Sequence, residues 1–371
     1  MKKVVFGITS LTLGGAERVL VDIANQLCET YEITIFTIYA KGELEKQVSP
    51  KVKVKSLYKV SFSELSKFQK RFSVPLKVLL FKNRIYQKYV KDNYDVEIAF
   101  LEGAMTRILS TKNEKTKKIV WVHNDISAVF GNGIKAKLKR AIDKKIYETY
   151  QKIIFVSKDN LKKFEEVYSL KNKKEVIYNY IDAQKVIQKA NEKREVEFDK
   201  NKINVVTVAR LVEQKAIDRF IKIHSNLIQE GLEHVVYVIG DGPERDKLEK
   251  TIKDKGVEKS FILLGKKENP YPYIKAADYF VLLSHYEGYP MVLLEAQILG
   301  KYIIITDTAA RETLQNYENC KIVGNTEEDI ANQLSEIMRN QKKYTVKQLD
   351  KKQYQNEEII EQIKKVIEEI E

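Results

Sequence analysis

Short apolar runs alternate along this chain with longer stretches whose apolar residues recur at helical spacing. The strand candidates in the first half are Val4–Ile8, Ile33–Ile38, Val96–Phe100, Ile119–Val122, Ile153–Val156 and Val176–Tyr178. After Lys202 the pattern restarts with Val205–Val208, Val235–Ile239, Ile262–Leu264, Tyr279–Leu283, Ile303–Thr306 and Lys321–Val323. These runs are apolar throughout rather than alternating, as strands are when helices cover both of their faces. Between them, Ala16–Cys28, Asp159–Tyr168, Ile217–Gln229 and Glu244–Lys255 read as helices. Strand–helix alternation predicts an α/β fold with parallel sheets. The polar segment Asp182–Lys202 carries no strand pattern and reads as a linker. The expected organisation is a first domain over 1–182, a linker over 183–202 and a second domain over 203–345. In the tail, Ile359, Ile360, Ile363, Val366, Ile367 and Ile370 fall on one helical stripe. That predicts an amphipathic helix within 353–371, which must bury its stripe and is expected to pack back on the first domain.

Composition agrees with two globular domains. The 371 residues are 43% apolar and 32% charged, too apolar for a disordered chain. The two cysteines, Cys28 and Cys320, belong to no Cys/His cluster and read as buried small hydrophobes in a reducing compartment. The apolar start after Met1-Lys2-Lys3 breaks at Thr9, Ser10 and Thr12, then at Gly14-Gly15 and the charges Glu17 and Arg18. It suits a first strand and helix better than a signal peptide. No run approaches the ~20 apolar residues of a membrane span. The net charge of +13 is uneven: Lys51 to Lys91 holds twelve basic residues against one acid, Glu64. A second basic stretch runs from Lys135 to Lys152. Such stretches attract nucleic acid, acidic lipid or phosphate-bearing substrates.

Three motifs carry candidate chemistry. Leu13-Gly14-Gly15-Ala16-Glu17-Arg18 follows the first strand and opens a helix, where free N–H groups and a partial positive charge favour phosphate. It is not the Gly-x-Gly-x-x-Gly of dinucleotide sites, so a redox cofactor is not expected. Arg210 ends a strand and Lys215 follows five residues later, two cations suited to one diphosphate. Glu287-Gly288-Tyr289-Pro290-Met291-Val292-Leu293-Leu294-Glu295 sets two carboxylates eight residues apart around the start of an apolar helix, the second about two turns beyond the first. Carboxylates accept hydrogen bonds from paired sugar hydroxyls, and the helix start faces phosphate.

The last run is similar to the Glu-x7-Glu motif of retaining glycosyltransferases of family 4, which have the GT-B fold. The rest follows in order: GGAERVL, WVHND around His123, VSK at Ser157, YNYID around Asn179, ARLVEQKAID, then GDGPER from Gly240. Seven ordered motifs span about 300 residues. The resemblance implies two Rossmann-like domains facing each other across a cleft. It implies a nucleotide-sugar donor, UDP-linked by family frequency, as a substrate rather than a cofactor. Glu295 would hold its ribose, Glu287 its sugar hydroxyls, and Arg210 and Lys215 its diphosphate. Gly14, Gly15, Gly242, Gly288, Tyr289, Pro290 and Met291 would line the donor, and His123 would meet the sugar near the reacting centre. Ala209 and Ala216 stand where the family usually has glycine, and Tyr180 where it often has proline.

Retention without a settled protein nucleophile is the implied mechanism. The chain contains no Asp-x-Asp, so no metal is expected and Arg210 and Lys215 take its place. From Phe62 to Val90, basic residues interleave with Phe68, Phe72, Leu76, Leu79, Leu80, Phe81, Ile85 and Tyr89, a mixture suited to an anionic bilayer. The expectation is therefore an enzyme of the cytoplasm, peripheral on the inner face of the plasma membrane, acting on a saccharide or lipid-linked saccharide acceptor in capsule or exopolysaccharide assembly. Nucleic acid is not an expected partner, since no reading module for it is present. A non-hydrolysing nucleotide-sugar epimerase of the same fold and a partner subunit that has lost turnover remain open, as does oligomeric state.

Overall fold

In the computed structural model the described residues are all of 1–371 except 63, 67, 70, 71, 73, 92, 125, 127–133, 345, 347–356 and 370–371. Two compact units divide the chain: Met1–Tyr180 with Asn356–Glu371, and Ile181–Gln355.

The first unit is built on seven parallel strands: β1 (Lys3–Ile8), β2 (Glu32–Tyr39), β3 (Lys53–Tyr58), β4 (Val96–Ala99), β5 (Lys117–Val122), β6 (Lys152–Phe155) and β7 (Lys173–Val176). Their order is β3-β2-β1-β4-β5-β6-β7, so β1 is central, with Val4 opposite both Ile33 and Val96. Strands that run apolar throughout sit where helices cover both faces, and Val4, Val5, Phe6 and Ile8 are all fully buried. The order reverses between β1 and β4, which makes the crevice beyond their C-terminal ends the place where such sheets bind ligands.

The second unit repeats the plan with β8 (Ile203–Val208), β9 (His234–Ile239), β10 (Phe261–Gly265), β11 (Tyr279–Leu282), β12 (Tyr302–Thr306) and β13 (Cys320–Val323), in the order β10-β9-β8-β11-β12-β13. Here the reversal lies between β8 and β11. The loops after those two strands carry Arg210 and Lys215 on one side and Glu287 on the other.

The C-terminal helix Glu357–Glu368 belongs to the first unit. Ile360, Ile363, Val366 and Ile367 are its buried face. Three lysines near the N-terminal ends of β1, β5 and β6 take its last turn. Lys117 Nζ donates to the carbonyls of Val366 and Glu369 at 2.8 and 2.7 Å. Lys2 pairs with Glu368 at 2.7 Å and Lys152 with Glu369 at 2.6 Å. Cations at a helix C-terminus satisfy carbonyls that have no partner within the helix and oppose the negative end of its dipole. Residues 353–356, 370 and 371 of the expected tail helix lie outside the described residues.

Several expectations need correction. The segment 183–202, read as a linker, belongs to the second unit: Ala183–Lys189 is a helix started by Asp182, whose carboxylate accepts from Lys185 N at 2.9 Å. Its length of about two turns and its polar face hid it. The strand β3 was not expected. As an edge strand it is largely exposed and reads as alternating lysine, which looks like a basic loop. The other edge strand, β7, lies three residues before the expected apolar run for the same reason. Cys320 is only half-buried, while Cys28 is buried as expected, and both are free thiols.

Candidate functional site

In the second unit, two loops meet at the sheet's switch point. After β8 the chain passes Arg210, whose side chain is exposed, and makes a short 3-10 turn over Glu213–Lys215. Ala216 closes that turn in the left-handed region, φ 49° and ψ 40°, and begins the helix Ile217–Gln229. Glycine reaches this conformation without strain, which accounts for the family's preference there; the alanine methyl costs about 1–2 kcal/mol. The loop after β11 runs alongside. His285 N donates to the Gln214 carbonyl at 2.9 Å, and Gln214 Nε2 donates to the Tyr286 carbonyl at 2.9 Å. Two backbone anchors thus fix the register of the loops, and Lys215 Nζ reaches Glu287 Oε1 at 2.5 Å. Glu287 is only 6% exposed and also accepts from Ser284 Oγ.

Residues that the sequence reading passed over hold this geometry. The strand end at Leu283–His285 is gripped from three sides. Arg219, buried within the helix after Lys215, donates to the Leu283 carbonyl and, at 2.9 Å, to Asn325 Oδ1. Asn325 Nδ2 donates to the His285 carbonyl at 2.9 Å, and Thr306 Oγ1 to the Ser284 carbonyl at 2.6 Å. Burial lowers the Arg219 pKa, yet it stays a cation, because arginine starts so high. An arginine inside an otherwise apolar helix stripe was the visible signal. It marks a carbonyl that needs a donor.

The helix Met291–Ile298 starts after Pro290 with no side-chain cap, and Leu293 N donates to the Pro290 carbonyl at 3.1 Å. Gly288, Tyr289 and Pro290 are half-exposed ahead of it, and Met291 is buried. Glu295 sits just past the first turn, because residues 287–290 are loop, not the two helical turns that counting suggested. It is 3% exposed and accepts from the Tyr271 hydroxyl at 3.1 Å, so it is no solvated surface residue. Gly242 answers to the backbone behind it. A Cβ there would lie 2.3 Å from the Leu211 carbonyl oxygen, and one at Gly240, with φ +145°, 1.9 Å from that of Ala209. The glycines of GDGPER thus let the turn after β9 press on the loop that carries Arg210 and Lys215.

In the first unit, Gly14 is extended at φ −148° and precedes the helix Gly15–Leu27, again with no side-chain cap. A Cβ on Gly14 would meet only the flexible end of Glu17, so the conformation itself does not demand glycine there. His123 follows β5. Its ring lies 4.8 Å from the Phe100 ring, and its Nε2 is buried with no partner among the described residues. Burial pushes its pKa down to about 3, so the imidazole is neutral near pH 7. Glu102, just after β4, accepts from the backbone N–H of His123 at 2.7 Å. Two other motifs serve as helix starts: Ser157 of VSK caps Lys158–Val167, and Asp182 of YNYID caps Ala183–Lys189. Asp125 of WVHND lies outside the described residues.

Residues 13–185 match the family described as Glycosyltransferase Family 4, and residues 188–357 match Glycosyl transferases group 1. Two relatives come from Campylobacter jejuni. One is named N-acetylgalactosamine-N,N'-diacetylbacillosaminyl-diphospho-undecaprenol 4-alpha-N-acetylgalactosaminyltransferase, 27% identical over 84% of this chain and 83% of its own. The other, an alpha-1,4-N-acetyl-D-galactosaminyltransferase acting on a PP-undecaprenol-linked saccharide, is 29% identical over 80% and 77%. Among solved structures, Anabaena HepE in complex with UDP and glucose superposes with a TM-score of 0.76 at 18% identity, covering both chains fully. Two Rossmann-like units with these motifs and relatives define the class: the chain is a glycosyltransferase of the GT-B type.

Proposed function

We propose that the chain is a retaining glycosyltransferase that moves a hexose or N-acetylhexosamine from a UDP-sugar to a saccharide acceptor carried on polyprenyl diphosphate, in cell-surface polysaccharide synthesis. The observation that carries the donor reading is the part-buried Lys215–Glu287 pair, at the point where the strand order of the second sheet reverses. Arg210 stands exposed on the same loop as Lys215. As the bond to the sugar breaks, charge builds on the leaving diphosphate, and preorganised cations are worth most there. In the free enzyme Lys215 is neutralised by Glu287. A donor offers each a better partner: phosphate for Lys215, sugar hydroxyls for Glu287. Glu295 then holds the ribose, Gly14 and Gly15 line the donor, and neutral His123 accepts from a sugar hydroxyl. Arg210 and Lys215 act in place of a metal.

The lipid-linked acceptor draws support from the Campylobacter relatives' names and from the helix Val74–Tyr89. Leu76, Leu79 and Leu80 are 52–66% exposed on it, and Lys77, Arg84 and Lys88 lie alongside. An apolar strip beside a basic one suits an anionic bilayer surface, in the manner of a peripheral protein. Among the described residues no helix is long and apolar enough to cross a membrane.

The test is a metal-free thermal-shift panel of UDP, GDP, ADP and their common sugars on wild type and Glu295→Ala. A shift for the UDP series that the variant loses supports the donor site. A shift confined to another base corrects the donor, and no shift at all rejects the site. Sedimentation with phosphatidylglycerol vesicles at low salt tests the surface, and failure to bind rejects it.

A further inference from the structure

The loop that bears His123 is fastened more tightly than a surface loop requires. Glu102 Oε1 accepts from the backbone N–H of His123 at 2.7 Å and of Asn124 at 2.8 Å, while its Oε2 accepts from Asn124 Nδ2 at 2.9 Å. On the other side of the same residue, Asn160 Nδ2 donates to the His123 carbonyl at 3.1 Å. Asn160 is itself 2% exposed, and its N–H donates to Ser157 Oγ at 3.0 Å at the start of the helix Lys158–Val167. Both polar groups of the His123 peptide are therefore fixed, one from the end of β4 and one from the helix after β6. Phe100, two residues before Glu102, supplies the ring that His123 lies against.

All this order ends in an atom, His123 Nε2, without a partner among the described residues. A buried nitrogen left unpaired costs about 1–3 kcal/mol, and a fold that fixes its direction that carefully retains the cost for a use. We infer that Glu102 is the positioning residue for His123: by collecting three N–H donors from residues 123 and 124, it aims the His123 ring so that Nε2 is presented as a hydrogen-bond acceptor to a donor-sugar hydroxyl. The inference rests on the donor-contacting role proposed for His123. The Phe100 backbone favours a proton on the ring, and since Nε2 is the unpartnered nitrogen, that proton is placed on Nδ1 and the lone pair on Nε2. Glu102 itself touches no substrate in this scheme. A carboxylate accepts all three without rearrangement. The amide of glutamine has the same shape but turns an N–H2 toward the Asn124 amide, which must then flip to accept it.

The test uses the full chain labelled with 15N-histidine. Only four histidines are present, and His123→Gln assigns the signal. In wild type, long-range 1H–15N spectra should show His123 as a single neutral tautomer with Nε2 unprotonated. In Glu102→Gln the ring should lose that single tautomer and titrate at higher pH. Asn160→Ala, which loosens the other side, should do the same and serves where Glu102→Gln does not fold. Turnover is read as UDP release from whichever of UDP-glucose, UDP-galactose and their N-acetyl forms is fastest. Glu102→Gln should slow it about a hundredfold, as a misplacement of an ångström does. Combined with His123→Ala, it should add nothing to the loss from His123→Ala alone. Unchanged His123 signals in both variants, or losses that add, overturn the inference. Wild-type turnover in His123→Ala would instead remove the donor-contacting role, and the ring signals would still decide whether Glu102 positions the ring.

Discussion

His224 and His234 form a proton-directed chain inside the second unit, and its direction fixes a pH dependence. His234 Nδ1 lies 2.7 Å from the Leu232 carbonyl and must donate to it. His234 Nε2 is then an acceptor for His224 Nδ1 at 2.7 Å, and His224 Nε2 accepts from Ser260 Oγ at 2.8 Å. The link between the rings needs a neutral His234 to accept at Nε2, and burial lowers both pKa values, that of His224 to about 3. In the unfolded chain both return toward the ordinary 6.5. The contribution to stability is therefore complete above about pH 6.5 and is lost as pH falls toward 3, because the unfolded state binds the extra protons. At pH 5, about 1.5 units below the ordinary value, His224 forfeits roughly 2 kcal/mol at 1.36 kcal/mol per unit, and His234 acts in the same direction. For a unit of this size the His224 part alone is roughly 4–8 °C in Tm. The assay is calorimetry of the full chain at about pH 7.5 and 5.0, comparing wild type with His224→Phe/His234→Leu, which removes both partners together. Carboxylate titrations are common to both proteins and cancel in the difference. Wild type should lose at least about 4–8 °C more than the variant between the two pH values. Equal losses would refute the neutral relay.

Gly242→Ala drives a methyl into the Leu211 carbonyl and should destabilise the second unit by about 1–3 kcal/mol, raising the donor KM as the Arg210–Lys215 loop shifts; unchanged denaturation and KM would show that the loop yields freely. Lys215→Ala should cut kcat about 10²–10³-fold, measured as UDP release, because a cation is missing where the leaving charge develops. Turnover in excess EDTA should match that without it, and restoration by manganese alone would put a metal where Arg210 and Lys215 are proposed to act.

Much of the fold could be read from period and polarity. The interior strands are legible since burial on both faces forces apolar runs, and β1, β8 and β12 lie where those runs do. The two edge strands of the first sheet were not legible, because an edge has one side to satisfy and carries the lysines of residues 53–55 and 173–174. The helix over 183–189 was missed for being too short to show a period. In the site, Lys215 and Glu287 stood out as charges next to turn residues. Their supports did not. Thr306, Asn325 and Tyr271 act through hydrogen bonds across long sequence separations, and nothing local marks such a residue. Ala216 was legible only as a departure from a family habit; its positive φ supplies the reason. Gly242 was read as a ligand contact, and the structure adds a backbone contact that itself excludes any side chain.

The return of the last helix to the first unit imposes an order of events on synthesis. The chain leaves that unit at Tyr180, makes the whole of Ile181–Gln355, and only then emits Glu357–Glu368. At about 5–20 residues per second, the roughly 190 intervening residues take about 10–40 s. During that time Lys2, Lys117 and Lys152 have no carbonyls or carboxylates of that helix to bind, and the apolar surface destined for Ile360, Ile363, Val366 and Ile367 stays uncovered. The half of the protein made first is thus the half completed last, and a nascent chain stalled within the second unit would present that uncovered face to chaperones.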